Sequence, residues 1–169
     1  PPGTSDEPLT VAQSLPDIDG MVIVTTPQQV ALLDSRKSIT FSESLKVPVL
    51  GVVENMSGFT VSGQTSPGTD VSIAAPGGKT LTATADDEGH FSVTLDIFKE
   101  GGGKETAEEF GVPFLGALPF DPGFVRGGDD GVHRIVSEPE GPSAQAFSKV
   151  VAAIQDQLSD GADGGLEII

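Results

Sequence analysis

The chain has 169 residues, with nine Lys or Arg against 25 Asp or Glu, so its formal net charge at pH 7 is −16. This charge argues against nucleic acid and anionic membranes as partners, because both need a basic surface. The sequence contains no cysteine, which excludes disulfides, thiolate zinc sites and cysteine-ligated iron–sulfur clusters held by this chain alone. No apolar run approaches the ~18–20 residues of a membrane span, and the length fits one domain or a domain with a small insertion.

Residues 1–59 have the pattern of strands alternating with helices. The predicted elements are a helix over 6–15, a strand over 21–24, a helix from 28 to about 41 and a strand over 48–53. Thr26 fits the N-cap of the second helix, and Pro27 fits its first position. Both strands are continuous apolar runs, which is typical of strands covered on both faces. A strand, a helix and a strand in this order form a βαβ unit, so the two strands should be parallel.

Residues 60–95 differ sharply from their surroundings, because Thr, Ser and Gly dominate and apolar residues alternate with polar ones. Turn signals separate the alternating runs at 66–68, 76–78 and 86–89. This pattern predicts an antiparallel β-meander, and the abrupt change in composition indicates an insertion.

Residues 96–169 return to the α/β pattern. The predicted elements are a helix over 104–110 ended by Gly111, a strand over 113–118 and an amphipathic helix over 143–158. We expect a long loop over 121–141 and a flexible acidic tail over 159–169.

Three glycine-containing segments are candidates for phosphate-binding loops. Gly77-Gly78-Lys79-Thr80 ends like a Walker A motif but joins two alternating strands, which favours a hairpin turn. Gly101-Gly102-Gly103-Lys104 precedes a helix, so its N–H groups could meet an anion; a plain flexible loop is the alternative. The segment 2–7 is a small-residue loop before a helix and could offer N–H groups to a phosphate in the same way.

The titratable residues form no recognisable catalytic or metal-binding set. His90 and His133 have no second ligand at metal-binding spacing, so we expect exposed, non-catalytic histidines. The acidic turn 86–88 lacks the spaced oxygen ligands of a calcium loop and is typical of a solvated turn. Asp121, Asp129 and Asp130 have no identifiable partner base, and dispersed acidic residues usually form a solvated face.

Five motifs in the two α/β parts resemble, in the same order, those of the Mrp family of P-loop ATPases, the iron–sulfur cluster carriers related to MinD-type ATPases. They lie at residues 1–8, 24–31, 51–59, 97–104 and 111–122. The resemblance covers roughly 1–59 and 96–158. It implies a partial doubly wound, Rossmann-like P-loop sheet of parallel strands, with nucleotide bound at the carboxyl ends of the strands.

The resemblance also implies roles for individual residues. Pro2, Gly3 and Thr4 match the loop that senses the γ-phosphate. Asn55 matches the residue that contacts adenine. The remaining matches, which pass around the base, are Pro119, Phe120 and Asp121.

Other family features have no counterpart in this sequence. The Walker A loop with its Lys and Mg²⁺-binding Ser or Thr is not found, nor is the Walker B Asp, so phosphate charge would not be neutralised and Mg²⁺ would not be held. The family's Cys-x-x-Cys pair, which holds a cluster between two subunits, is replaced here by residues 61–95. We therefore expect weak ATP binding without hydrolysis or cluster binding by this chain alone. The resemblance implies a cytoplasmic protein and allows a homodimer.

Residues 60–95 resemble part of a bacterial Ig-like repeat, with about four of the usual seven strands. The predicted organisation is a discontinuous α/β domain over 1–59 and 96–158, interrupted by this segment. The predicted function is that of part of an ATP-binding iron–sulfur cluster carrier. The alternative is a non-enzymatic protein-binding module, in which the β segment recruits a partner through its unpaired strand edges. A third interpretation is a chain that only retains the ability to fold.

Overall fold

The computed structural model describes residues 6–15 and 17–163. In chain order the elements are α1 (Asp6–Ser14), β1 (Met21–Thr25), α2 (Gln29–Ser44), β2 (Val49–Glu54), β3 (Phe59–Gln64), β4 (Asp70–Ala75), β5 (Lys79–Thr84), β6 (His90–Leu95), α3 (Gly102–Phe110), β7 (Phe114–Ala117), α4 (Gly123–Asp130), α5 (Arg134–Ser137) and α6 (Pro142–Asp163).

A three-stranded parallel sheet, ordered β1-β2-β7, forms the centre of the α/β part. The central strand β2 is covered on both faces, as its apolar run predicted, whereas Val24 on β1 is exposed. One face packs on α2 and α3 and the other on α6. The two core clusters are Ile23, Ile39, Val52 and Ala107 on the first face, and Val53, Leu115, Leu118 and Val150 on the second. The α/β class and the parallel sheet are confirmed.

Residues 59–95 form an antiparallel ribbon, which we call the ribbon (59–95). β3 pairs with β6, and β4 pairs with β5, in one continuous register across both pairs. Antiparallel strands are confirmed, but the sequential strand order of a meander is wrong, because the first strand pairs with the last. Alternation fixes the face on which a side chain lies and leaves the partner strand undetermined. A short 3₁₀ turn at Pro76–Gly78 joins β4 to β5, as the hairpin interpretation required.

Several predicted boundaries needed correction. The second helix begins at Gln29, and Thr26 does not cap it: its hydroxyl is 3.1 Å from Oε1 of Gln28. Residues 121–141 contain the helices α4 and α5, where the sequence predicted a loop. The last helix continues to Asp163, so residues 159–163 of the predicted tail are helical. Residues 164–169 lie outside the described residues.

Candidate functional site

The loops that follow β1, β2 and β7 meet at the carboxyl edge of the parallel sheet, where open α/β folds bind their ligands. The N–H of Ser57 donates to the carbonyl of Leu118 at 2.9 Å, and the N–H of Phe120 donates to the carbonyl of Gly58 at 2.8 Å. These bonds join the Asn55 loop (55–58) to the segment 118–121. The structure therefore brings together Asn55 and the predicted base-binding segment, which lie more than sixty residues apart in sequence.

Asn55 shapes its own loop. Its Oδ1 accepts the N–H of Met56 at 2.9 Å, and Met56 takes a left-handed backbone conformation with φ of 59°. The backbone N–H of Asn55 donates to the carbonyl of Thr25 at 2.7 Å. Among the described residues, none accepts a hydrogen bond from Nδ2 of Asn55.

A cavity of about 720 Å³ runs along β1 between α1 and α2. All five residues of β1 line it, together with apolar side chains of α1 such as Val11. At the carboxyl end of β1 its lining includes Thr25, Thr26 and Asn55. The Asn55 loop therefore borders a cavity with the mainly apolar lining that is typical of small-molecule sites.

Phe120 connects the site to the base of the ribbon. Its ring makes edge-to-face contacts with Phe59 at a centroid distance of 5.8 Å and with Phe98 at 6.5 Å. Phe59 begins the first strand of the ribbon, and Phe98 follows its last strand. Such aromatic pairs contribute about 0.5–1.5 kcal/mol beyond their burial, so the predicted base-binding segment and the ribbon base form one packed unit.

Asp121 anchors three helices through its carboxylate. Its Oδ1 accepts the N–H of Gly123 at 2.7 Å, while its Oδ2 accepts the Ser143 hydroxyl at 2.7 Å and Nε of Arg134 at 3.0 Å. Partial burial by itself raises the pKa of Asp121, but the bonds from Ser143, Gly123 and Arg134 outweigh it and hold the pKa below its ordinary value. Arg134 is a cationic partner of Asp121 that could not be identified from sequence, and no base is added to this cluster.

The role of Glu54, the last residue of β2, is one that the sequence patterns did not predict. This side chain is 1% exposed, and its carboxylate accepts the Ser57 hydroxyl at 2.6 Å and the N–H groups of Gly103 at 2.6 Å and Gly101 at 3.1 Å. The glycine-rich loop does meet an anion, but that anion belongs to the protein. The available signal was an acidic residue at the end of a buried strand combined with a glycine-rich helix start.

The remaining candidates have other surroundings. Pro2, Gly3 and Thr4 lie outside the described residues. His90 is exposed, with Nδ1 3.8 Å from Oδ1 of Asp86. Hydrogen bonds from backbone N–H groups, that of His90 first, lower the pKa of Asp86. Residues 6–15 and 17–163 contain no group of three His, Cys, Asp or Glu side chains arranged to hold a metal ion, and none of their helices is both long and apolar enough to cross a bilayer.

The fold is that of the MinD-like P-loop NTPases. A nucleotide-binding protein of Archaeoglobus fulgidus, solved in complex with ADP, superposes with a TM-score of 0.53 and 31% identity over 87% of this chain and 47% of its own. The Pyrococcus horikoshii septum site-determining protein MinD, solved with Mg-ADP, gives a TM-score of 0.51 at 19% identity, covering 89% of this chain and 45% of its own, and supports the fold alone.

The family model described as ParA, NUBPL iron-transfer P-loop NTPase matches residues 1–88 and 84–155, so the chain belongs to this family. It is 35% identical to an iron–sulfur cluster carrier protein of Methanocaldococcus jannaschii, over 94% of this chain and 44% of the relative. It is 38% identical to the cytosolic Fe–S cluster assembly factor NBP35 of Eremothecium gossypii, over 95% of this chain and 41% of the relative. The chain thus spans less than half the length of these relatives. The Ig-like character of the ribbon stays a prediction.

Proposed function

We propose that this chain contributes the adenine-binding side of a nucleotide site in an iron–sulfur cluster carrier. The observation that carries the proposal is the junction of the Asn55 loop with segment 118–121 at the carboxyl edge of the sheet. Membership of an iron-transfer NTPase family supports it, and so does the relative from A. fulgidus that was solved with ADP.

In this proposal Asn55 reads the base. A carboxamide can donate through Nδ2 and accept through Oδ1, the pairing that suits N7 and the N6 amino group of adenine. Pro119 and Phe120, both half-buried, offer apolar surface beside it, and the Asp121 anchor fixes the following turn. Pro2, Gly3 and Thr4 keep their proposed place at the phosphates.

The proposal stops at nucleotide binding. Iron–sulfur clusters are held by cysteine thiolates in most proteins, and the residues of this chain do not fit a cluster because none is cysteine. No Mg²⁺ ligand or hydrolytic residue is assigned either. A homodimer and a cytoplasmic location stay predictions; two relatives are described as cytosolic factors.

Thermal unfolding with and without millimolar Mg-ADP and Mg-ATP tests this function. Ligand at one hundred times its Kd stabilises by about 2.7 kcal/mol, which raises the Tm of a domain of this size by several degrees. Asn55→Ala should abolish the shift. Asn55→Asp is the sharper variant, because it retains an oxygen for the Met56 N–H while it replaces the Nδ2 donor with an acceptor. Gln155→Ala, an exposed amide on α6, is the matched control.

An unchanged Tm in the wild-type protein, or an equal shift in Asn55→Asp, would contradict the proposal. The second candidate, a protein-binding module, would then lead. One observation favours it: β3–β6 and β4–β5 form two-stranded sheets, so within the described chain their outer edges have no strand partner. Such edges can accept an added strand.

A further inference from the structure

Glu54 is the one ionisable residue among the buried polar residues of the described chain. Burial of a carboxylate is costly unless hydrogen bonds replace its lost hydration. It lies at the end of the central strand, directly before Asn55, where the family fold places ligands. A charge kept at this position calls for an explanation beyond packing.

The three donors to Glu54 come from two separate segments. Ser57 belongs to the Asn55 loop, whereas Gly101 and Gly103 belong to the amino terminus of the nine-residue helix α3. Charge-assisted bonds of about 2.6 Å are among the stronger hydrogen bonds in proteins, and the α3 dipole adds to the attraction. One carboxylate therefore joins the Asn55 loop, which precedes the ribbon, to the start of α3, which follows it.

Gly103 is matched to this arrangement. A Cβ atom at this position would lie 3.0 Å from Cβ of Glu54 and 3.2 Å from its Oε2. A side chain at this position would crowd the carboxylate, so glycine suits the close approach of the helix terminus. The carboxylate and the glycine form a single packed contact.

We propose that Glu54 is a positioning residue of the nucleotide site, which holds the Asn55 loop in its ligand-binding geometry before the ligand arrives. The inference rests on the proposed function of Asn55. Glu54 fixes the side chain of Ser57, and the Ser57 backbone is fixed to Leu118. Only Asn55 and Met56 lie between Glu54 and Ser57, so the chain is held on both sides of these two residues. A loop ordered in advance avoids the entropy cost of ordering on binding.

Two variants separate positioning of the loop from capping of the helix. Ser57→Ala removes the bond on the loop side and leaves both bonds to α3. Glu54→Gln keeps the size and shape of the side chain but removes its charge. It also places an NH₂ group, which cannot accept a hydrogen bond, opposite one of the three donors. We expect each to weaken Mg-ADP binding about tenfold, as the loss of one charge-assisted bond from the bound geometry would. Val52→Ala, in the core next to Glu54, controls for lost stability: it should lower the Tm and leave the Kd unchanged.

Amide NMR spectra of the nucleotide-free protein provide a second readout. In both variants the resonances of the Met56 N–H and the Asn55 side-chain amide should shift, while Val52→Ala should leave them in place. Unmoved loop resonances, or wild-type affinity in Ser57→Ala, would overturn the inference, because that variant removes only the bond on the loop side. Shifted loop resonances in a protein that does not bind Mg-ADP would support the positioning role and refute the nucleotide function.

Discussion

Two carboxylates at the carboxyl edge of the sheet, Glu54 and Asp121, each accept hydrogen bonds from three donors. Each joins separate elements of the fold. Glu54 joins the Asn55 loop to α3, and Asp121 joins the starts of α4 and α6 to α5. The loops that surround the proposed base site are thus held from two sides by charged groups. Substitutions at or beside each carboxylate should therefore change the free energy of unfolding.

Asp121→Asn should lower the free energy of unfolding at pH 7 by about 2 kcal/mol, because it removes a charged acceptor from Ser143 and Arg134. The folded-state pKa of Asp121 lies below its ordinary value of about 3.9. The stabilisation is therefore fully present above that value and lost as the pH falls through the folded pKa. Urea unfolding should show a constant gap between wild type and variant from about pH 7 to 5 that narrows below about pH 4. Asp129→Asn, at an exposed residue, should give no gap; a gap that persists in acid would contradict the assignment.

Gly103→Ala should destabilise the protein by about 1–3 kcal/mol, the usual cost of forcing an extra methyl into a packed site. The new Cβ would meet Glu54 at 3.0 Å. Gly128→Ala in α4 is the matched control, because no atom lies within 4 Å of its added Cβ. It should raise stability by about 0.5–1 kcal/mol through helix propensity. Guanidinium unfolding of the pair measures both effects, and equal stabilities would show that the close approach to Glu54 is relaxed in solution.

At the scale of elements, apolar patterning predicted each strand of the parallel sheet to within a residue or two. Helix starts were less predictable: Thr26 fits an N-cap and Pro27 fits a first helical position by type, yet the helix begins beyond them. The helices α4 and α5 were missed because Gly123, Gly127 and Gly128 lower local helix propensity, whereas tertiary contacts through Asp121 and Arg134 decide their structure. The Glu54 contact was beyond pattern analysis, since its partners are 47 and 49 residues away.

The ribbon should be separable from the α/β core, because neither core cluster includes one of its residues. We expect a chain with Gly63 joined to Phe91 by an Asn-Gly turn to melt cooperatively within about 3 °C of the full chain, a difference of roughly 1 kcal/mol. The retained base still pairs Phe59 with Leu95 and Val61 with Val93. Circular dichroism melts provide the measurement. Ile39→Ala truncates a fully buried core side chain and should lower the free energy of unfolding by about 2–5 kcal/mol. This control establishes that the melt reports on the core.

Loss of the cooperative transition in the shortened chain would mean that the ribbon supports the core. The discontinuous domain predicted over 1–59 and 96–158 would then be wrong. A preserved transition would support that organisation, and it would agree with the general rule that surface insertions cost little because loop-closure entropy grows slowly with length.

At the scale of the whole molecule, the net charge and the open edge of the parallel sheet act in opposite directions on self-association. β1 is at the end of the strand order, and Val24 on it is 61% exposed. The outer edge of β1 has no strand partner in the described chain, a feature that favours association. The net charge of −16 opposes association by repulsion between molecules. The same charge also acts within one molecule, because compaction brings like charges together.

Salt should therefore stabilise the folded chain. Raising NaCl from 0.1 to 1 M shortens the Debye length from about 10 Å to about 3 Å, which screens the repulsion among 25 acidic residues that only nine basic residues offset. The ion pairs that salt would weaken are largely exposed, such as Arg36–Glu109 and Lys37–Asp34, and exposed pairs contribute about 0–1 kcal/mol. The screened repulsion should outweigh them, so calorimetry should find a Tm that rises across this range. KCl at equal ionic strength should reproduce the rise, because screening depends on ionic strength and not on the cation. A Tm that falls with salt would mean that the ion pairs of Asp121, Arg134 and Glu138 stabilise the fold by more than the repulsion among acidic residues destabilises it.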